Sequence, residues 1–141
     1  PEDGKSLSEM RSKVDQYPLT SVIKKTEDGL GFYIPAKHQK DILYNDCSKQ
    51  DINLASEKLC VQAIKPQNTP IKLGVNFKSI SKSYISCLDD RTIPIELQKK
   101  LAVSIPKENI YKINSGHSPF FSKPAELASI LDKIASKIHE H

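Results

Sequence analysis

Apolar runs and helical repeats alternate in the second half of the chain. Residues 84–88 (YISCL) form a short apolar run that is typical of a strand buried on both faces, as in a parallel sheet. A helix with Leu97 and Leu101 one turn apart is expected next, and residues 109–113 (NIYKI) are a second strand candidate. The predicted order from residue 84 onward is strand, helix, strand.

A long amphipathic helix is predicted near the C-terminus, with Ser122 as its cap and Pro124 in its first turn. Its apolar face follows helical spacing and consists of Leu127, Ile130, Leu131, Ile134 and Ile138. Strand, helix, strand, helix predicts a parallel pair of strands joined by a right-handed crossover. Because two strands alone do not make a stable sheet, further strands are expected from outside this chain.

The first 75 residues are predicted to be helical or irregular, without strands. A short helix is expected over residues 7–14, before Tyr17-Pro18, because proline cannot continue a helix. Residues 20–35 carry turn signals, and a second helix is expected over residues 36–44.

A capping box in residues 48–51 (SKQD) opens a third predicted helix, because the serine and aspartate side chains can satisfy its first amides. Its apolar positions recur at helical spacing and are Ile52, Ala55, Leu59 and Ala63. Pro66 and Pro70 are expected to bound a linker after it.

The composition is that of an ordinary globular domain: 141 residues, 38% apolar and 27% charged. The net charge of +4 is small and spread along the chain, so neither nucleic acid nor a membrane surface is expected as a partner. No apolar run approaches the roughly 20 residues that span a bilayer, and no signal peptide opens the sequence. Because the chain starts at Pro1, we expect its natural N-terminus to be processed or to lie elsewhere.

Two residue types limit the chemistry of the chain. Cys47, Cys60 and Cys87 lack CxxC spacing and are expected to be reduced, buried thiols, which predicts a cytoplasmic location. The glycines stand at positions 4, 29, 31, 74 and 116, and no two are four apart. A GxSxG nucleophile elbow, a GxGxxG loop and a Walker A loop are therefore excluded from this chain.

Candidate catalytic residues follow the two predicted strands. Asp89 and Asp90 follow the first strand, and His117 follows the second. In parallel sheets, functional residues gather in the loops that leave the carboxyl ends of strands. The order of acid before histidine matches the last two members of a Ser…Asp…His triad, in which the carboxylate fixes the imidazole tautomer. The Asp pair alone could also be a simple turn.

Residues 87–98 (CLDDRTIPIELQ), with Gly116-His117 and residues 122–127 (SKPAEL), resemble the C-terminal part of α/β-hydrolases. The resemblance is to the plant methylesterase and hydroxynitrile lyase group with its bacterial relatives. It implies an α/β fold class, with residues 79–141 forming the last two parallel strands and their helices.

The first half resembles other parts of the same family. Residues 32–35 (FYIP) and 44–47 (YNDC) are similar to the helical cap of the bacterial members, and residues 1–7 (PEDGKSL) to the segment after the sixth strand. Residues 1–78 are therefore expected to be a linker and helical cap. The resemblance implies that the nucleophile elbow and the oxyanion-hole loop belong to an N-terminal half that this chain does not contain.

The resemblance also implies individual roles. Asp90 lies four positions before Pro94, as in the family's D-x-x-x-P pattern, and is expected to be the triad acid, with Asp89 as the alternative. His117 is expected to be the general base. The next position is lysine in the hydroxynitrile lyases but Ser118 here, which favours ester hydrolysis.

Aromatic residues are the candidates for substrate binding. Phe120, Phe32 and Tyr33 could line an acyl or alcohol pocket, although each could equally pack in the core. His38, His139 and His141 are not expected to form a site. No metal and no cofactor are implied.

The predicted function is hydrolysis of a small carboxylic ester by a triad whose serine lies in the other half. A non-catalytic small-molecule receptor of the same fold and an inactive fragment are the alternatives. The expected partners are a small-molecule ester substrate and the N-terminal half of the same hydrolase. The exposed sheet edge could also pair with a second copy of the chain, giving a homo-oligomer.

Overall fold

The computed structural model describes residues 2–12 and 17–139, and the side chains up to residue 137. The predicted end of the first helix at Val14 lies outside the described residues, as does His141. The side chains of Ile138 and His139 are also outside the described part.

The elements before residue 80 are short. A 3₁₀ turn covers Pro18–Ser21. The helices are α1 (Leu7–Arg11), α2 (Ala36–Leu43), α3 (Lys49–Lys58), α4 (Ile64–Asn68) and α5 (Val75–Ser79). The strands are β1 (Lys24–Lys25), β2 (Gly31–Tyr33) and β3 (Gln62–Ala63).

The three short strands form an antiparallel sheet in the order β1-β2-β3. Lys24 lies opposite Tyr33, and Gly31 lies opposite Ala63. The prediction that the first 75 residues contain no strands is therefore wrong. Strands of two or three residues are too short to show the alternation of apolar and polar positions by which strands are recognised.

Ser48 is the N-cap of the predicted helix, since its hydroxyl accepts a hydrogen bond from the Asp51 amide at 3.2 Å. The Asp51 carboxylate accepts from the Ser48 hydroxyl at 2.6 Å, whereas a full capping box would have it accept from the Ser48 amide, so only the serine half of the predicted capping box is confirmed. The helix that follows ends at Lys58, so the prediction that Leu59 and Ala63 continue it is wrong. Leu59 adopts extended backbone, and Ala63 pairs with β2.

The predicted linker between Pro66 and Pro70 is also partly wrong, because Pro66 lies in the first turn of α4. Proline is tolerated there, since the first amides of a helix have no partner within the helix.

The second half contains β4 (Tyr84–Cys87) and β5 (Ile110–Ile113), which are parallel, with Tyr84 opposite Ile110 and Cys87 opposite Ile113. This confirms the predicted parallel pair. The chain between them forms α6 (Ile95–Leu101) and a 3₁₀ turn over Lys107–Asn109.

Two helices follow β5: α7 (Pro119–Ser122) and α8 (Pro124–His139). The long C-terminal helix is confirmed. Ser122 ends α7, so its predicted role as the cap of the long helix is wrong. On the apolar face of α8, Ile130 is buried, but Leu131 is half exposed.

The most deeply buried side chains of the described part lie around the parallel strands. Leu97 of α6 and Ile113 of β5 are each only 1% exposed. Helix α6 contacts β4, and α8 contacts β5. Among the described residues, no helix has both the length and the hydrophobicity needed to cross a bilayer.

The three cysteines are free thiols. Cys47 and Cys87 are half-buried, but Cys60 is exposed, so the expectation of a buried thiol is wrong for Cys60. Cys60 lies in the short connection between α3 and β3, which leaves it open to solvent.

Candidate active site

The loops that follow β4 and β5 leave the same edge of the parallel sheet. The ladder continues past the strands, since the Leu88 amide donates to the Ile113 carbonyl at 3.0 Å. The Asp89 amide donates to the Ser115 carbonyl at 2.9 Å. This alignment brings the residues after each strand next to each other.

The Asp90 carboxylate and the His117 imidazole are in contact. His117 Nδ1 lies 3.0 Å from Asp90 Oδ2 and 3.2 Å from Oδ1. The Asp90 side chain is 6% exposed and the His117 side chain 30% exposed. A buried carboxylate thus holds an imidazole that solvent can still reach. The catalytic role of the two residues stays a prediction.

Local turn geometry explains why Asp90 faces inward. Asp90 Oδ1 accepts hydrogen bonds from the amides of Thr92 at 2.7 Å and Ile93 at 2.8 Å. These amides compensate the burial of the carboxylate, which would otherwise be costly. Asp89 is exposed, and its carboxylate is bound to Asn45 instead.

Backbone carbonyls at the end of α2 bind both strand-end loops. The Thr92 hydroxyl donates to the Ile42 carbonyl at 2.7 Å, and the Ser118 hydroxyl donates to the Leu43 carbonyl at 2.9 Å. Both hydroxyl-bearing residues are almost fully buried. The end of α2 and the two loops are therefore hydrogen-bonded to each other on either side of the carboxylate–imidazole pair.

Side chains after α2 add two more bonds to the same loops. Asn45 Nδ2 donates to the Asp89 carboxylate at 2.8 Å, and Asp46 Oδ2 accepts from the Gly116 amide at 2.9 Å. The sequence offered only the likeness of residues 44–47 to a family cap segment, which did not indicate what these side chains bind.

A cleft of about 940 Å³ opens in the first half of the chain. Its lining includes Phe32, Arg11, Leu19, Ile64 and Tyr17. Tyr33 and Phe120 are not among the residues that line it, and both side chains are exposed. The structure therefore brings only one of the three aromatic candidates to the cleft, and the binding roles of all three stay predictions.

Two tyrosines lie within electrostatic reach of Asp90. Burial raises the pKa of Tyr17, an effect that Arg11 opposes and the Asp90 charge reinforces. Burial, with added repulsion from Asp90 and Cys87, raises the pKa of Tyr84 to about 12. A free phenol is already neutral near pH 7, and both shifts favour that neutral form further. The Tyr17 hydroxyl is buried without a hydrogen-bond partner among the described residues, and sequence reasoning had not singled out either tyrosine.

No group of three or more potential metal-binding side chains occurs in the described ranges 2–12 and 17–139.

Comparisons with known proteins agree on one fold. No family model matches the chain. Putative methylesterase 11 of Arabidopsis thaliana, a chloroplastic protein, is 36% identical over 98 residues, covering 68% of this chain and 25% of that protein. Putative methylesterase 14 of the same plant is 32% identical over 113 residues, covering 79% of this chain and 32% of that protein.

Solved structures of hydrolases and esterases are also similar to this chain. A pyrethroid hydrolase from Sphingobium faniae has a TM-score of 0.80 at 19% identity, covering 99% of this chain and 58% of its own. A mutant of polyneuridine aldehyde esterase has a TM-score of 0.75 at 19% identity, covering 95% of this chain and 58% of its own. The chain belongs to the α/β-hydrolase family.

This α/β-hydrolase chain corresponds to the C-terminal part of the fold. It spans about a quarter to a third of the length of these two curated relatives and 58% of these two solved structures. Two of these four proteins are named as putative methylesterases, one as a pyrethroid hydrolase and one as an esterase. In the α/β-hydrolase chain, the Ser118 hydroxyl donates to the Leu43 carbonyl, so this side chain is already bound to the end of α2.

Proposed function

We propose that this chain contributes Asp90 and His117 to the Ser-His-Asp triad of a hydrolase that cleaves a small carboxylic ester. The serine and the oxyanion-binding amides would lie in the N-terminal part of the fold. The observation that carries the proposal is the 3.0 Å contact between Asp90 Oδ2 and His117 Nδ1. A buried carboxylate on Nδ1 leaves Nε2 free to act as a base.

The pair would work in two half-reactions. His117 Nε2 takes the serine proton while the serine oxygen attacks the ester carbonyl, and the resulting imidazolium returns that proton to the departing alcohol. In the second half-reaction, His117 takes a proton from water while the water oxygen attacks the acyl-serine carbonyl. It returns that proton to the serine oxygen as the bond to the acyl group breaks and the carboxylic acid leaves. The Nδ1 proton stays on His117 throughout and is donated to the Asp90 carboxylate, which stabilises the imidazolium. Each oxyanion donor is typically worth about 3–4 kcal/mol.

Esters are favoured over cyanohydrins as substrates. A cation next to the catalytic histidine would be needed to hold a cyanide leaving group, and the residue after His117 is the neutral Ser118. Its hydroxyl donates to a cap carbonyl and it is 2% exposed. The relatives named methylesterase and pyrethroid hydrolase support the same choice.

The test uses the complete hydrolase and a chromogenic acetate ester. His117→Ala and Asp90→Asn are each expected to lower kcat about 10⁴-fold, since loss of a triad member or of the correct tautomer has effects of this size. His38→Ala, which removes an imidazole from α2, is the matched control and should keep kcat within about twofold. Wild-type turnover in either triad variant would refute the proposal. Tight ester binding without turnover by the unmutated protein would instead favour a receptor.

A further inference from the structure

We propose that Asn45 and Asp46 are positioning residues for the Asp90–His117 pair. Each side chain holds the residue directly before one member of the pair. This inference rests on the proposed function, because positioning has a measurable effect only if the pair is catalytic. The two residues belong to the connection between α2 and α3, far in sequence from the loops that they bind.

Asn45 acts on the loop that carries Asp90. Its Nδ2 donates to the Asp89 carboxylate at 2.8 Å and to the Asp89 carbonyl at 3.2 Å. One amide group therefore fixes both the side chain and the backbone of the residue before Asp90. A hydrogen bond to an ionised carboxylate is among the stronger ones in proteins.

Asp46 acts on the loop that carries His117. Its Oδ2 accepts from the Gly116 amide at 2.9 Å. Gly116 is buried, and a Cβ built on it would lie 2.6 Å from Asp46 Oδ1 and clash with Asn45 Oδ1. The backbone before His117 is thus pressed directly against this dipeptide, and only glycine permits so close an approach.

Two hydroxyl groups hold the residues that follow Asp90 and His117. Thr92, two residues after Asp90, donates to the Ile42 carbonyl, and Ser118, directly after His117, donates to the Leu43 carbonyl. Each member of the pair is therefore held both before and after its own position. All four contacts converge on residues 42–46, which form a single strut across two loops that are not neighbours in sequence.

This strut is expected to matter for rate more than for substrate binding. Displacement of a catalytic group by about 1 Å can lower the rate on the order of 100-fold. None of the four contacts is made by a residue proposed to touch the substrate. Loosening the strut should therefore lower kcat and leave KM nearly unchanged.

The main test compares two substitutions of Asp46 in the complete hydrolase. Asp46→Ala removes the acceptor for the Gly116 amide and should lower kcat about 10- to 100-fold, with KM within about twofold. Asp46→Asn keeps an oxygen that can accept the same bond and should restore kcat to within about threefold of the unmutated enzyme. Asp41→Ala, on the exposed side of α2, is the matched control and should have no effect.

A second measurement separates positioning from general damage. In a His117→Ala background, adding Asp46→Ala should change the residual rate less than about twofold, because Asp46 acts only through His117. A further loss that multiplies the effect of His117→Ala would overturn the inference. So would an Asp46→Asn variant as impaired as Asp46→Ala, or a defect confined to KM.

Asn45→Ala keeps the inference testable if Asp46→Ala fails to fold. This variant removes the donor to Asp89 and should also lower kcat at least about fivefold without changing KM. An unchanged kcat in Asn45→Ala would overturn the assignment for Asn45. If His117→Ala keeps full turnover, the proposed function fails. If His117→Ala is inactive while Asp46→Ala is fully active, the positioning role alone fails.

Discussion

The Asp90 carboxylate has two roles, since it stabilises a turn and binds the His117 imidazole. Its Oδ1 closes a turn by accepting from the amides of Thr92 and Ile93, while Oδ2 faces the imidazole of His117. The turn orients the carboxylate before any substrate is bound. An aspartate suits this position because its side chain is short enough to bond amides two and three residues ahead.

Substitutions of Asp90 can separate its role in the turn from its role beside His117. Asp90→Asn keeps an oxygen for the turn amides, so we expect the free energy of unfolding of the complete hydrolase to change by less than about 1 kcal/mol. Asp90→Ala leaves those buried amides unpaired and should lower the free energy of unfolding by about 1–3 kcal/mol. Urea denaturation of both variants measures the difference. Equal stabilities would mean that the turn does not depend on the carboxylate.

The side chain of Gln98 in helix α6 is hydrogen-bonded to the end of strand β4. Gln98 is 3% exposed, and its amide bonds both backbone groups of Cys87, accepting from the nitrogen at 3.0 Å and donating to the oxygen at 2.8 Å. It also donates to the Ile93 carbonyl at 2.8 Å. The side chain thus satisfies the backbone at the end of β4, directly before the loop of Asp90.

Replacing Gln98 should lower the stability of the fold. Gln98→Leu keeps most of the side-chain volume but leaves three backbone groups without their hydrogen-bond partners. We therefore expect the free energy of unfolding to fall by about 2–4 kcal/mol. Lys99→Ala, one position along α6, removes only the exposed ion pair with Glu96 and should change stability by less than about 1 kcal/mol. Thermal or urea unfolding compares the two. A Gln98→Leu variant as stable as Lys99→Ala would contradict the interpretation.

Elements were predictable where the sequence repeats a local signal. The helix opened by Ser48, the long C-terminal helix and the run at 84–88 each carry enough consecutive positions to show a period or a cap. The sheet of β1, β2 and β3 does not, because none of its strands exceeds three residues.

Some residues of the candidate site were likewise predictable from the sequence and others were not. Asp90 and His117 could be proposed together because parallel strands deliver their following loops to one edge. The partners Asn45 and Asp46 could not, since their bonds join residues 44 and 70 positions apart and follow no local pattern. Such contacts depend on how the connection between α2 and α3 packs against the two loops, and no spacing in the sequence indicates that packing.

At the scale of the whole chain, much apolar surface is exposed. Val75 is 82% exposed and Val103 is 85% exposed, and Leu30 and Ile80 are also largely open to solvent. The parallel sheet of the described part has only two strands. Isolated sheets of this size are marginal in water, and an unpaired strand edge can pair with another chain.

The isolated chain should therefore associate. We expect it to bind a hydrophobic dye and to elute as oligomers in size-exclusion chromatography with light scattering. Adding a polypeptide that supplies the N-terminal part of the fold should suppress both signals and restore ester turnover. The complete hydrolase is the control. A monomeric isolated chain that binds no dye would contradict this expectation.

The contacts of residues 42–46 also bear on how chains of the α/β-hydrolase family can be recombined. A chimera that takes residues 42–46 from one parent and its last two strands from another would combine contact partners that come from different proteins. Crossover points between residues 47 and 88 separate them, whereas moving 42–46 together with 89–92 and 116–118 preserves them. Experiments that exchange the segment before residue 47 for that of another family member should therefore transfer these three segments together.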